Sequence, residues 1–403
     1  MAETQSDASD DFDYGDPVAR WFVRDAYRIT DTEALIAATG EQLVAAGIPL
    51  YRLGYFQLTL HPAYLGTGYF WRRGRGVESA QAPHSLLGTS DYLDNPLPRV
   101  FEGGGAQRVR LEGDAEVAFP VLRELKDEGA TDYVAMPVIF TDGHIDALSV
   151  TSDKPGGFSR QDLDRMYALS FLFARIMEIH SRRTTAINLL DTYVGHQAGE
   201  RVLEGRILRG DGETIHAVLW YCDMRGFTPL SDWLPRDDLI GLLNDYFGCM
   251  ATAVQAQGGE VLKFIGDAML AVFPIPDASR EADVCAAALT AAAEAIAGAA
   301  ALNRARKRDG RPVIEFGLAL HVGDVLYGNI GAEDRLDFTV IGPAVNLVTR
   351  IEAQTRALNE PVLLSADFAA RMRNRVRPLG AHDLKGVAEP QAIWAPRETA
   401  RRL

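Results

Sequence analysis

The sequence predicts an α+β chain in which a ferredoxin-like or palm-type domain follows a separate α/β domain and a helical linker. Three observations carry this. From residue 214 onward, apolar runs and helical periodicities follow one another in the order βαββαβ, with additions. Before residue 160, the apolar runs 133–140 and 144–151 flank the turn Thr141-Asp-Gly-His144, which is a hairpin signal. Between the two lies a long helical pattern that ends in a polar stretch carrying Gly205, Gly210 and Gly212.

The 403 residues are enough for two or three domains with cores of their own. Hydrophobic residues make up 47% and charged residues 24%, the balance of an ordinary globular chain. A net charge of −14 argues against nucleic acid as a partner, because a polyanion requires a basic face. The three cysteines, Cys222, Cys249 and Cys285, are scattered without disulfide or zinc spacing, which fits a reducing, cytoplasmic location. No uninterrupted apolar run reaches the roughly 18 residues of a membrane span. The alanine-rich 286–302 stretch, interrupted by Glu294, reads as a core helix. The N-terminus lacks a basic-then-apolar pattern. Residues 1–16 carry six acids and no base, and read as a disordered acidic tail.

In chain order, 17–47 reads helical, with Thr30 or Asp31 as a cap for its second half. Strands are expected at 51–60 and 68–72, loops and short helices over 74–114, and a helix at 119–128. A long helix begins after Gly156-Gly-Phe-Ser159. Its apolar positions Leu163, Met166, Leu169, Leu172, Ile176 and Ile179 form one stripe that resumes at Ile187, Leu190 and Tyr193, as expected of a dimeric seam, with a helix covering its own domain as the competing role. The polar stretch 195–212 then leads into the second domain. There the pattern gives a strand at 216–223, a helix at 236–257, a hairpin at 260–265 and 268–273, and a helix at 281–306. Strands follow at 313–322, 325–330 and 338–341, then a helix at 344–357, a strand at 362–365 and a helix at 366–373. Strands at 377–384 and 391–394 end the sheet. The resulting division is a tail at 1–16, a domain at 17–160, a helical linker at 161–213 and a domain at 214–397.

Two apolar runs of the second domain each deliver an aspartate into a turn, Asp223 and Asp267. In a ββ-adjacent arrangement both carboxylates reach one end of the sheet, where they repel unless a cation lies between them. A divalent ion with nucleotide phosphates is the usual occupant. Gly226, Phe227 and Thr228 follow Asp223, and a glycine turn opening a helix exposes N–H groups suited to phosphate.

The domain resembles the catalytic domain of class III adenylate/guanylate cyclases. The matching stretches are Asp223-Met-Arg-Gly-Phe-Thr228, Lys263-Phe-Ile-Gly-Asp267, His321-Val-Gly-Asp-Val-Leu-Tyr-Gly-Asn-Ile-Gly331, Thr339-Val-Ile-Gly-Pro-Ala-Val-Asn-Leu-Val-Thr-Arg350 and Leu384-Lys-Gly-Val387. The resemblance implies that Asp223 and Asp267, helped by the Met224 carbonyl, hold two Mg²⁺ or Mn²⁺ ions per active site. These would acidify the ribose 3′-hydroxyl and brace the α-phosphate. It further implies that Asn346 orients the ribose, that Arg350 stabilises the phosphate in the transition state, and that Lys385 binds the triphosphate. Lys263 and Thr339 would read adenine, lysine donating to N1 and the threonine hydroxyl accepting from the 6-amino group. The glutamate and cysteine typical of guanylate cyclases are absent there. The threonine resembles a bacterial and soluble subgroup of which some members respond to bicarbonate.

In this family the metal aspartates come from one subunit and the base-reading pair, asparagine and arginine from the other. One chain holding all of them is therefore expected to form a head-to-tail homodimer with two equivalent sites. The 17–160 domain resembles a GAF-type sensory domain, on its order of elements and on the stretch from Ala147 through Asp153-Lys-Pro-Gly-Gly-Phe-Ser159 to Leu163. Its aromatic cluster, Tyr51, Tyr55, Phe56, Tyr64, Tyr69, Phe70 and Trp71, is a candidate lining for a small-molecule pocket, with plain core as the competing role. The expected activity is conversion of ATP to cyclic AMP and diphosphate. A guanylate or dual-specificity cyclase and a non-catalytic nucleotide sensor remain the alternatives.

Overall fold

The computed structural model describes residues 15–113, 117–372 and 374–397. Most of the expected acidic tail, residues 1–14, lies outside the described residues. Asp16 does not belong to a tail. Its carboxylate caps the first helix through the N–H groups of Val18 and Ala19 and pairs with Arg165.

The chain forms two compact units that divide between Thr192 and Tyr193. The first contains helices α1 (Pro17–Arg24) and α2 (Thr32–Ala45), and strands β1 (Arg52–Leu58), β2 (Tyr64–Arg72) and β3 (Gly76–Pro83). It continues with α3 (Ser90–Leu93), α4 (Leu97–Phe101), β4 (Gln107–Arg110), α5 (Pro120–Asp127), β5 (Asp132–Ile139), β6 (Ile145–Ser152) and α6 (Arg160–Tyr193). The strands make one antiparallel sheet in the order β3-β2-β1-β6-β5-β4. Strands β3 and β4 were expected to be loop. Their sequences, GVESAQAP and QRVR, line the sheet's edges with side chains that are mostly exposed, so they carry no apolar alternation to find.

Alternation along the strands sorts the aromatic cluster. Tyr55 and Trp71 face α2 and α6 and are core residues, with Tyr69 packed beside them. Phe56 and Phe70 face the other way and line a cavity of about 330 Å³ together with Leu58, Gly66, Gly68 and Tyr92. Helix α6 likewise departs from expectation. Met166, Leu169 and Ile176 are buried in this unit's core, and Leu163 and Leu172 pack against it. Most of the supposed seam is thus a helix covering its own sheet. Only Ile179 of the first run is exposed, and the polar residues 181–185 do not break the helix.

The second unit contains α7 (His196–Leu203), β7 (Gly212–Met224), α8 (Phe227–Trp233), α9 (Arg236–Ala256), β8 (Glu260–Ile265), β9 (Ala268–Pro274) and α10 (Glu281–Arg308). There follow β10 (Phe316–Gly331), β11 (Leu336–Ile341), α11 (Pro343–Glu352), β12 (Val362–Ser365), α12 (Ala366–Arg371), β13 (Val376–His382) and β14 (Gln391–Pro396). The expected linker is thus no separate body: α6 completes the first unit and α7 starts the second. The sheet runs β13-β14-β12-β10-β7-β9-β8, with β11 paired to β10. The two strands expected at 313–322 and 325–330 are one, because pairing with β7 continues through Gly323 and Asp324.

Alternation along β7 divides the unit. Val218, Trp220, Cys222 and Met224 enter a core closed by α9, α10 and α12. Leu219 enters the opposite core, closed by α7 and α11, and Asp223 lies on that side at the strand's end. The stretch Ala278–Arg308 is apolar and long enough to cross a membrane by composition, but Cys285, Ala288, Ala291, Ala292, Ala295 and Ala299 are buried in the core.

Candidate functional site

Strand β7 ends one residue after Asp223, and the tight turn between β8 and β9 carries Gly266 and Asp267. Asp223 is registered opposite Ala268, and the Met224 N–H donates to the Asp267 carbonyl at 3.3 Å. The two aspartates therefore meet at one sheet end. Burial and then the neighbouring Asp267 charge push the Asp223 carboxyl up to about 6, and burial raises Asp267 as well. Two half-buried hard-oxygen donors that disfavour their own ionisation fit a divalent cation such as Mg²⁺ or Mn²⁺. Among the described residues no cluster of three or more His, Cys, Asp or Glu forms a fuller cage. Gly226 caps α8 in a left-handed conformation, φ 72°, which turns the chain from β7 into the helix. Phe227 packs against the core and Thr228 is exposed.

A third carboxylate lies within electrostatic reach of this pair and was missed in the sequence. Glu352, the last residue of α11, is raised to about 7 by burial and then by the charge of Asp223, with a smaller contribution from Asp267. It fits because Gly317, opposite Asp223 on β10, has no Cβ; one there would collide with Glu352 Oε1 and Thr355 Oγ1. Glu352 is the sole acid of its helix, two residues past Arg350, which was the available signal.

Lys263 lies on β8, four residues before Asp267, and its ammonium pairs with the Asp337 carboxylate. Thr339 stands two residues further along β11, on the same side of the strand as Asp337, and is buried. The structure thus brings Lys263 to the strand that carries Thr339, through an aspartate the sequence reading overlooked. Asn346 and Arg350 are both exposed on α11, one turn apart, while Ala344, Val348 and Ile351 bury its other face. Lys385 is exposed in the turn joining β13 and β14. Two groups result: the aspartates with Glu352, and Lys263 with Asp337 near Thr339. Asn346, Arg350 and Lys385 point to solvent.

His321 is buried, donates or accepts at Ser365 Oγ over 2.9 Å, and is pushed down to about 4 by burial. With Ser365 also capping α12 through the Phe368 N–H, both are structural.

Residues 213–393 match the model of the adenylate and guanylate cyclase catalytic domain. An adenylate cyclase of Anabaena cylindrica is 34% identical over 160 residues, which is 39% of this chain and 30% of that protein. Adenylate cyclase 1 of Rhizobium meliloti (strain 1021) is 29% identical over 285 residues, 68% of this chain and 42% of that protein. The chain therefore spans less than half the length of either relative. The crystal structure of the guanylyl cyclase Cya2 is 30% identical with a TM-score of 0.41, covering 45% of this chain and 92% of that one.

Proposed function

We propose, from a chain whose residues 213–393 match the adenylate and guanylate cyclase catalytic domain, that the protein is an adenylate cyclase forming cyclic AMP and diphosphate from ATP. The observation that carries this is the convergence at one sheet end of Asp223, from β7, and Asp267, in the turn of the neighbouring hairpin whose first strand bears Lys263. Asp223, Asp267 and the Met224 carbonyl would hold two divalent cations. Bound there, such ions supply Lewis-acid activation of the ribose 3′-hydroxyl and charge neutralisation at the α-phosphate. The N–H groups of Gly226, Phe227 and Thr228, where β7 turns into α8, donate to phosphate oxygens. Lys263 donates to adenine N1 while Thr339 accepts from the 6-amino group. Arg350 stabilises charge on the phosphate during in-line attack, Asn346 orients the ribose, and Lys385 receives the terminal phosphates.

The exposure of Asn346 and Arg350 supports sites shared across a head-to-tail homodimer, because a solvent-facing pair requires a second copy to bring it against the aspartates. The exposed apolar side chains Trp233, Ile240, Phe264 and Ile265 support the same arrangement. On α6, Tyr167, Phe171, Leu189 and Tyr193 remain exposed and available to a second helix. For the first unit we propose a GAF-like sensory role that biases the dimer. The 330 Å³ cavity behind Phe56 and Phe70 would take its small-molecule ligand.

The test is turnover of ATP and GTP by the purified protein with Mg²⁺ or Mn²⁺. Cyclic AMP formation at a kcat/KM well above that for cyclic GMP supports the proposal. A preference for GTP gives the guanylate reading, and tight ATP binding with no cyclic product gives the sensor reading.

A further inference from the structure

The residues proposed to read the base sit on strands that are not neighbours in the sheet. Lys263 is on β8, at the sheet's edge beyond β9, and Thr339 is on β11, which pairs with β10. Among the described residues no backbone ladder joins β8 to β11 directly, and two side-chain bridges span the gap between them. One bridge is the exposed Lys263–Asp337 pair. The other is buried: Glu260, first residue of β8, accepts a hydrogen bond from the Tyr327 hydroxyl at 2.9 Å through Oε2. Tyr327 is 1% exposed and its ring meets that of Phe338, the residue before Thr339, edge-on with centroids 4.7 Å apart.

Glu260 has a second role. The first-turn N–H groups of Gln197 and Ala198 on α7 favour its charged carboxylate, while Oε1 has no partner that meets hydrogen-bond geometry. A carboxylate at a helix start is favoured by the helix dipole. Gly195 precedes that turn with φ 98°, and a Cβ there would come within 3.4 Å of Oε1. From the same helix Arg201 lies over the Tyr327 ring at 4.9 Å and over Phe338 at 5.8 Å, and pairs with Glu213 at 2.5 Å. Helix α7 therefore touches three strands at once, through Glu260 on β8, Tyr327 on β10 and Phe338 on β11.

We propose that Glu260 is a positioning residue for base recognition: it ties β8 to the β10–β11 hairpin through Tyr327 and seats the start of α7, so the spacing of Lys263 from Thr339 follows where α7 lies. This rests on the reading of those two residues as the adenine contacts.

The experiment measures equilibrium binding of 3′-deoxy-ATP and 3′-deoxy-GTP, which lack the attacking hydroxyl, to the full chain with Mn²⁺. Wild type is compared with Glu260→Gln, Tyr327→Phe and the double variant, alongside hydrogen exchange of α7. Glu260→Gln and Tyr327→Phe each weaken 3′-deoxy-ATP by roughly tenfold, leave 3′-deoxy-GTP nearly unchanged, and are less than additive together. Glu260→Gln also speeds exchange at Gln197 and Ala198. Unchanged discrimination in both single variants overturns the proposal, as does equal weakening of both nucleotides with a general loss of protection, the mark of a merely structural role. Binding of neither nucleotide by wild type overturns the cyclase reading itself. Intact wild-type discrimination with unresponsive variants overturns only the role of Glu260.

Discussion

Replacing Asp223 with Asn is expected to stabilise the metal-free protein while abolishing its response to metal. In the folded chain the Asp223 carboxyl rises from an ordinary 3.8 to about 6, first by burial and then by repulsion from Asp267. An acid whose folded pKa is raised holds more protons folded than unfolded between the two values. Stability therefore falls as pH climbs from about 4 to 6, and the penalty is complete above that window. A rise of about 2 pH units corresponds to about 3 kcal/mol. Asp223 is only half-buried, and solvent screening reduces this to about 1–2 kcal/mol. For a unit of this size the gain is about 3–6 °C in Tm. Thermal unfolding at pH 5 and pH 8, with EDTA and with Mn²⁺, measures it. Asp223→Asn should melt higher than wild type at pH 8 in EDTA, show a flatter pH dependence, and gain nothing from Mn²⁺, which raises the wild-type Tm. A variant that melts at or below wild type at pH 8 without metal would refute the reasoning, because the aspartate would then be a stabilising partner and not a strained half of a metal site.

Mixing Asp223→Ala with Asn346→Ala subunits should restore roughly a quarter of wild-type cyclase activity, since half of the dimers are mixed and each carries one intact site. Failure of any recovery counts against composite sites. Gly317→Ala should drive Glu352 and Thr355 out of their slot and cost about 1–3 kcal/mol by overpacking, read as a lowered Tm. Adding Glu352→Ala should recover part of that loss, and the absence of recovery would mean the clash lies elsewhere. Asp337→Asn should free the Lys263 ammonium and change KM for ATP more than kcat, seen in steady-state kinetics on both nucleotides. Equal falls in both parameters would place Asp337 outside the base pocket.

The sequence alone determined the local character of the second unit's candidate site. Asp223, Lys263, Asp267, Asn346 and Arg350 sit within short segments whose local pattern, a strand ending in a turn or two positions one helical turn apart, is written in a few consecutive residues. The long elements were legible for the same reason, since a face buried over several turns leaves a periodic trace. Three things were decided by tertiary structure. Edge strands β3 and β4 bury too little to leave a trace. The stripe on α6 has the same spacing whether it meets a second helix or its own sheet, and only the position of β1 and β6 beneath it shows that its residues belong to the first unit's core. Glu260, Asp337 and Glu352 act through partners 67, 74 and, for Asp223, more than a hundred residues away. Such pairs obey no sequence period, because it is the crossing of β7 between β9 and β10, with α11 laid over it, that brings their charges within reach.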